Sequence, residues 1–211
     1  MQANAECFNP HCRRCPRLRH HFKRLRSRYP DYHNAPVPGF GDSAARLLIV
    51  GLAPGLHGAN RSGRVFTGDA SGDLLFETLY RFGFCNQPAS RSVADGMRLD
   101  DCRITNAVKC VPPQNRPNRT ELTRCGDYLR AELAVVQPTV VVALGRLAHD
   151  SVLRALDLPL AGHPFAHGAE HMLDGGAMLI DSYHCSRYNI QTRRLTAEMF
   201  AGIFSRAREL L

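Results

Sequence analysis

Hydrophobic residues along this 211-residue chain fall into short unbroken blocks separated by amphipathic stretches. Leu47-Leu48-Ile49-Val50, Ile104-Thr105-Asn106-Ala107-Val108, Thr139-Val140-Val141-Val142-Ala143-Leu144 and Met178-Leu179-Ile180-Asp181 are the blocks. Runs of this length and β-branched content read as strands buried on both faces. They predict strands over about 46–50, 104–108, 139–144 and 178–181. The stretches between them carry helical spacing. One helix is predicted over about 70–82. A second starts near 120, with apolar positions at Leu122, Leu129, Leu133 and Val136 and a stop at Pro138. Two more cover about 148–156 and 194–210. Strands alternating with helices predict an α/β fold: a central four-stranded, mainly parallel sheet with helices on both faces. One domain over 1–211 accommodates them, with 1–40 as an appended basic segment.

The first strand empties into a long polar loop, Gly51-Leu-Ala-Pro-Gly55-Leu-His57-Gly-Ala-Asn60-Arg61-Ser-Gly63-Arg64-Val-Phe66-Thr-Gly68-Asp69, which holds five glycines. Ligands of open α/β sheets bind at the carboxyl ends of the strands, so this loop is the active-site candidate. It lacks the Gly-Lys-Ser/Thr of a phosphate-binding loop and the G-x-G-x-x-G of a dinucleotide fold. Asp69 stands where a carboxylate could act on a substrate and also where an N-cap for the next helix belongs. The second strand ends at Thr105-Asn106, and the last runs into Ser182-Tyr183-His184-Cys185-Ser186-Arg187-Tyr188-Asn189. Polar segments thus converge at one edge of the sheet.

Charge narrows the partner. The formal net charge is +8, and the eight Arg and Lys between His11 and Arg28 are accompanied by no acid. Such a surface suits a polyanion, because neutralising phosphates releases counterions. No apolar run approaches the roughly 18 residues of a membrane span, and the first residues carry no signal-peptide core, so a cytoplasmic protein is expected. The eight cysteines are therefore better explained by metal ligation or burial than by disulfides. Cys12-x2-Cys15, joined by Cys110 and Cys125, could close a thiolate shell for zinc or for an iron–sulfur cluster. A rival set uses Cys7, Cys12 and Cys15 with one distant cysteine. Cys85 and Cys102 read as packed small hydrophobes.

Together the motifs Cys12-Arg-Arg-Cys15-Pro, Gly51-Leu-Ala-Pro-Gly55 through Phe66-Thr-Gly68-Asp69, Thr105-Asn106-Ala107-Val108-Lys109-Cys110, Cys125 and Ser182-Tyr-His184-x-Ser186-Arg187-x-Asn189 resemble the uracil-DNA glycosylase superfamily, most closely its B-type branch, family 5. The resemblance spans nearly the whole chain. It implies a monofunctional DNA glycosylase of base excision repair that hydrolyses the N-glycosidic bond of uracil and of other deaminated bases, in double- or single-stranded DNA. It implies a [4Fe–4S] cluster on Cys12, Cys15, Cys110 and Cys125. Asp69 and His184 are then catalytic. Gly51, Ala53, Gly55, His57, Asn60, Phe66, Asn106 and Asn189 contact the base, with Phe66 stacking on it and Asn106 reading its edge. Arg61, Arg64, Ser186, Arg187 and Tyr188 meet the DNA, and Tyr188 is the largest side chain available as a wedge.

Two departures within the superfamily carry information. The best-known branch has an acidic residue and a tyrosine where this chain has Ala53 and Gly55, so Asp69 is the implied substitute carboxylate. Cys185 replaces the proline of the family's His-Pro-Ser. A non-catalytic iron–sulfur DNA-binding module of the same fold and a nucleotide-handling enzyme are the competing readings. No homodimer is signalled, and a monomer is expected.

Overall fold

The computed structural model describes residues 8–211, so Cys7 lies outside the described residues. Four parallel strands form the centre: β2 (Leu47–Gly51), β3 (Cys102–Asn106), β4 (Val140–Leu144) and β6 (Met178–Ser182). The sheet is nevertheless six-stranded, with β1 (Phe40–Gly41) and β5 (Glu170–Met172) at its edges in the order β1-β3-β2-β4-β6-β5. These two short edge strands pair antiparallel with β3 and β6. Both are too short and too polar to register as hydrophobic blocks. The second central strand also begins and ends two residues earlier than the apolar run implies, closing on Asn106. Its successors Ala107 and Val108 bond to the carbonyls of Gly51 and Leu52 at 2.9 Å each.

Alternation along the strands divides two cores. Leu47, Ile49, Ile104, Val140, Val142 and Ile180 face Leu75, Phe76 and Leu79 of α3 (Ala70–Arg81) and Phe200, Ile203 and Phe204 of α7 (Ala197–Glu209). Leu48, Val50, Val141, Ala143 and Leu179 face Leu129 and Leu133 of α4 (Arg119–Val136) and Val152 and Leu153 of α5 (Arg146–Ala155). Every central strand is buried along its length apart from the half-buried Met178. Period-2 alternation distributes those apolar side chains to opposite faces.

The basic segment folds into a helix that the charge pattern conceals, α1 (Pro16–Arg28). Pro16 suits a first turn, and Leu18, Phe22 and Leu25 line one buried stripe at helical spacing. They pack on Val108, Val111 and their neighbours. Two cations of the segment are paired: Arg14, before the helix, with the exposed Asp127 at 2.8 Å and Arg17 with the buried Glu121 at 2.6 Å. Two short helices, α2 (Ala59–Ser62) and α6 (Arg187–Gln191), sit inside segments expected to be loops.

One buried carboxylate holds β3 to α4. Glu132 accepts from Arg103 Nε at 2.7 Å, Thr105 Oγ1 at 2.6 Å and Lys109 Nζ at 2.8 Å, and all four residues are buried. Burial would raise its pKa, but the charges of Lys109 and Arg103 and the hydrogen bonds from Lys109 and Thr105 hold it at about 2. A carboxylate depressed in the fold stabilises above its unfolded pKa and loses that contribution as pH falls through the folded value. Glu132 should therefore support stability fully above its ordinary 4.5 and progressively less toward pH 2. Glu132→Gln removes the buried charge that Lys109 and Arg103 share, and urea denaturation at pH 7 should show a loss of about 3–5 kcal/mol. A loss below about 1 kcal/mol would refute this account of the network.

Candidate active site and cysteine centre

Strand order places the topological switch at β2, which has β3 on one side and β4 on the other. At the carboxyl ends of these strands lies a cleft of about 780 Å³, within the usual size of a small-molecule site. Its walls come from the glycine loop, the end of β3 and the segment after β6.

Phe66 and Asn106 form the floor. Phe66 is buried and has φ +52°, a left-handed conformation that costs of order 1 kcal/mol or more in a non-glycine residue. Gly51 makes room for both side chains: a Cβ there would come within 2.4 Å of Asn106 Oδ1 and 2.8 Å of the Phe66 ring. Asn106 is buried, and its Oδ1 has no hydrogen-bond partner among the described residues. Buried acceptors are almost always paired in native proteins, so an exception at the floor of a cleft points to a donor on a ligand.

Asp69 does two things at once. Its Oδ1 caps α3, accepting from the backbone N–H of Ser71 at 3.1 Å and of Gly72 at 3.0 Å. Its Oδ2 lies against Gly58 and Gly55, where added Cβ atoms would stand 1.9 and 3.2 Å away. The cap thus fixes the carboxylate while one oxygen faces the cleft wall. His184 follows β6 and lies near-parallel to Phe66, ring centroids 6.1 Å apart and planes at 28°. Burial pushes the His184 pKa down and favours the neutral imidazole, outweighing the upward pull of the Asp69 carboxylate.

Other predicted residues divide by whether they reach the cleft. Ala53, Gly55, His57, Ser186 and Arg187 line it. His57 is held at the rim by Tyr32, whose hydroxyl is 3.0 Å from Nδ1, and Tyr32 stacks on Tyr29 at 4.8 Å. The Ser186 hydroxyl caps α6 by accepting from Asn189 N–H at 3.3 Å. Asn189 does not line the cleft; its Nδ2 donates to the His184 carbonyl at 2.8 Å and so braces the histidine's backbone. Asn60 is likewise turned away, fully buried with Nδ2 on Asn34 Oδ1 at 2.9 Å. Arg64 is a correction to the expected DNA contacts. It is buried against Asp95 at 2.7 Å, Ser90 at 2.6 Å and Thr67 at 3.0 Å, because the loop returns over it. Arg61 stays exposed while donating to the Gly68 carbonyl at 2.9 Å. Tyr188 is 70% exposed on α6, outside the cleft.

Three lining residues escaped the sequence reading, Asn115, Ser71 and its neighbour Ala70. Asn115 enters the wall from the Pro-rich turn after β3, with φ +55°, and Ser71 enters from the first turn of α3. The signal for Asn115 was present, since its turn also follows the carboxyl end of a strand.

A second cavity, beside α1, is lined by Cys12, Cys15, Cys110 and Cys125 with Leu18, Phe22 and Val108. Burial pushes the Cys125 thiol up to about 11, against the Lys109 N–H that reaches its sulfur at 3.3 Å. Burial and then the neighbouring sulfurs raise Cys110 as well. Burial also raises Cys15, and thiols gathered in one cavity ionise together only around a compensating cation, which is the donor chemistry of a metal centre. Cys85, Cys102 and Cys185 are buried elsewhere, Cys85 and Cys102 as the expected small hydrophobes.

Residues 38–208 match the model of the uracil DNA glycosylase superfamily. The type-5 uracil-DNA glycosylase of Thermus thermophilus is 46% identical over 205 residues, covering 94% of this chain and 93% of the relative. That of Pyrobaculum aerophilum is 47% identical over 201 residues, covering 93% and 87%. A type-4 uracil-DNA glycosylase of Archaeoglobus fulgidus is 39% identical over 123 residues, covering 58% and 54%. The chain belongs to the uracil DNA glycosylase superfamily, and its likeness to these type-5 members extends over far more of its length than its likeness to the type-4 one.

Proposed function

We propose that this protein is a uracil-DNA glycosylase that hydrolyses the N-glycosidic bond of uracil and of other deaminated bases. The observation that carries this reading is the unpaired Asn106 Oδ1 beside Phe66 at the floor of the cleft. An amide there complements the N3–H and O4 of uracil, and the aromatic ring receives the face of a flipped base. Bond cleavage leaves negative charge on the base and positive charge on the sugar. His184, neutral, donates a hydrogen bond to the base oxygen, and Asp69 Oδ2 positions water or stabilises the sugar cation. Exposed Arg61, Arg116, Arg187, Arg193 and Arg194 supply phosphate contacts, and Tyr188 is the wedge that fills the vacated stack. The protein acts on DNA as a cytoplasmic monomer.

The cysteine centre holds a [4Fe–4S] cluster. Among the described residues, the group whose ligating atoms all fall within 4.8 Å of one another is a His–His–Asp set and not these cysteines. Four thiolates on a single zinc stand roughly 3.8 Å apart, given a Zn–S bond of about 2.3 Å. The largely apolar cavity between the four cysteines suits a cluster in which each cysteine takes a different iron. The cluster is structural, clamping α1 onto the segment that follows Asn106. The purified protein should be brown and contain iron with sulfide; a colourless protein with one zinc would overturn this assignment.

On a uracil-containing oligonucleotide with alkaline strand cleavage, Asp69→Asn and His184→Ala should each cut base release about 10²–10³-fold. Asn at 69 keeps an oxygen for the helix cap, so its loss of rate separates chemistry from capping. Both variants should still bind DNA, with affinity falling steeply with salt. A wild-type rate for Asp69→Asn would leave capping as the residue's whole role. Gly55 removes a wall from the cleft, and a closed apolar pocket discriminates a single methyl by only about 1–3 kcal/mol. The enzyme is therefore broad, and mispaired bases are favoured because they unstack more easily. Gly55→Tyr should raise the ratio of uracil to hypoxanthine excision, even where pressure on Asp69 lowers both rates. Strict uracil specificity in the wild type would contradict the role given to Gly55.

A further inference from the structure

Outside the cleft and the cysteine centre, three ligating side chains meet on the far side of β6. His149 Nδ1 is 2.7 Å from Asp181 Oδ1, and His171 Nε2 is 3.4 Å from Asp181 Oδ2. They come from α5, β5 and β6, and their donor atoms lie within 4.8 Å of one another. His149 and Asp181 are buried, and the His171 side chain is only 9% exposed.

Two features of this cluster fit a metal better than a hydrogen-bond network alone. The His171–Asp181 separation exceeds the 2.7–3.2 Å of a good N–H···O bond, yet it equals the spacing two ligands adopt on one tetrahedral zinc. With bonds of about 2.0–2.1 Å, that spacing is roughly 3.3 Å. The second nitrogen of His149, Nε2, is 2.9 Å from the His163 carbonyl. A metal-bound histidine almost always donates its other N–H in this way, which fixes the tautomer. Nδ1 of His149 is thereby the nitrogen directed at the shared site.

We propose that His149, His171 and Asp181 bind a zinc ion, with a fourth position open to water. Two imidazoles and a carboxylate are a donor set that zinc shares with non-haem iron, and the near-tetrahedral ligand spacing favours zinc. Asp181 supplies one oxygen, Oδ2, already at that spacing from His171, and the 2.7 Å hydrogen bond between His149 Nδ1 and Oδ1 is given up. Binding displaces the Nδ1 proton of His149 to solvent, so affinity falls as pH drops. The ion would clip the edge strand β5 and the 160–172 segment onto β6, three residues before His184.

The test uses the iron-replete enzyme, stripped of loosely bound metal, then titrated with Zn²⁺ alone against a chromophoric chelator at pH 7.5 and 5.5. Wild type should hold one equivalent at micromolar or lower free zinc, more weakly at pH 5.5, and its Tm should rise with the metal. His171→Gln should bind at least about tenfold more weakly and show no zinc-dependent Tm shift, while its iron content and zinc-free Tm stay at wild-type levels. Should His171→Gln fold poorly, Asp181→Asn is read in the same way. Absence of zinc retention by the wild type, or equal retention by wild type and variant, would show that the cluster holds only protons. The iron content and the glycosylase rate are measured in parallel, so failure here is distinguishable from failure of the cluster or of the proposed activity.

Discussion

Glu132 sets the register on which the rest of the molecule depends. Removing a carboxylate from water is costly unless charge and hydrogen bonds compensate, and here Arg103, Thr105 and Lys109 all do so from one strand and its extension. Residues 103, 105 and 109 can meet one carboxylate only if β3 ends where it does. Asn106 lies between two of those anchors and faces the opposite way, into the cleft. The same segment is stitched to the end of β2 through Ala107 and Val108 and to Cys125 through the Lys109 N–H. A slip of one residue would turn Asn106 away and present its neighbour.

The glycine loop obeys a different constraint, close approach. Phe66 adopts a left-handed backbone, and its ring fills the space that a side chain at residue 51 would need. Asp69 Oδ2 similarly occupies the place of a side chain at residue 58. The loop is held down from below by Arg64, whose guanidinium bonds to Ser90, Ser92 and Asp95 and lies 4.9 Å over the Phe40 ring. Burial opposes ionisation of Asp95, but the Arg64 hydrogen bond and three backbone N–H groups keep its pKa well below the ordinary carboxylate value. An arginine that looks like a DNA contact instead supplies the rigidity that lets Phe66 and Asp69 keep their positions.

The cysteine cavity and the cleft are joined by packed side chains that reach Ala53 and Leu56 of the glycine loop. α1 packs Phe22 and Leu25 on Val111 and, through the same small cluster, against Leu56 of the glycine loop, while Leu18 lies with Val108 and Cys125. A centre that fixes Cys110 therefore acts on the strand end that carries Asn106, four residues earlier. This gives the N-terminal helix a structural reason to exist beyond its charge.

Much of this protein was legible from sequence because the deciding physics was local. Blocks of buried residues identified four central strands, glycines and polar residues after those blocks marked the cleft, and Cys12-x2-Cys15 marked one side of the cavity that four cysteines line. Asp69, His184, Phe66 and Asn106 were located by motif and by strand ends, and they do meet in one cleft. The edge strands Phe40–Gly41 and Glu170–Met172 were invisible, since a pairing of two or three residues has no period to detect. Helix α1 was hidden because its stripe is only three residues wide and lies among cations. The fates of Arg64, Asn60 and Asn189 were settled by partners distant in sequence or set by local backbone turns, and composition cannot say which polar group will be folded inward. Tertiary structure alone brought His149, His171 and Asp181 together, because ligands from a helix and two strands share no sequence spacing.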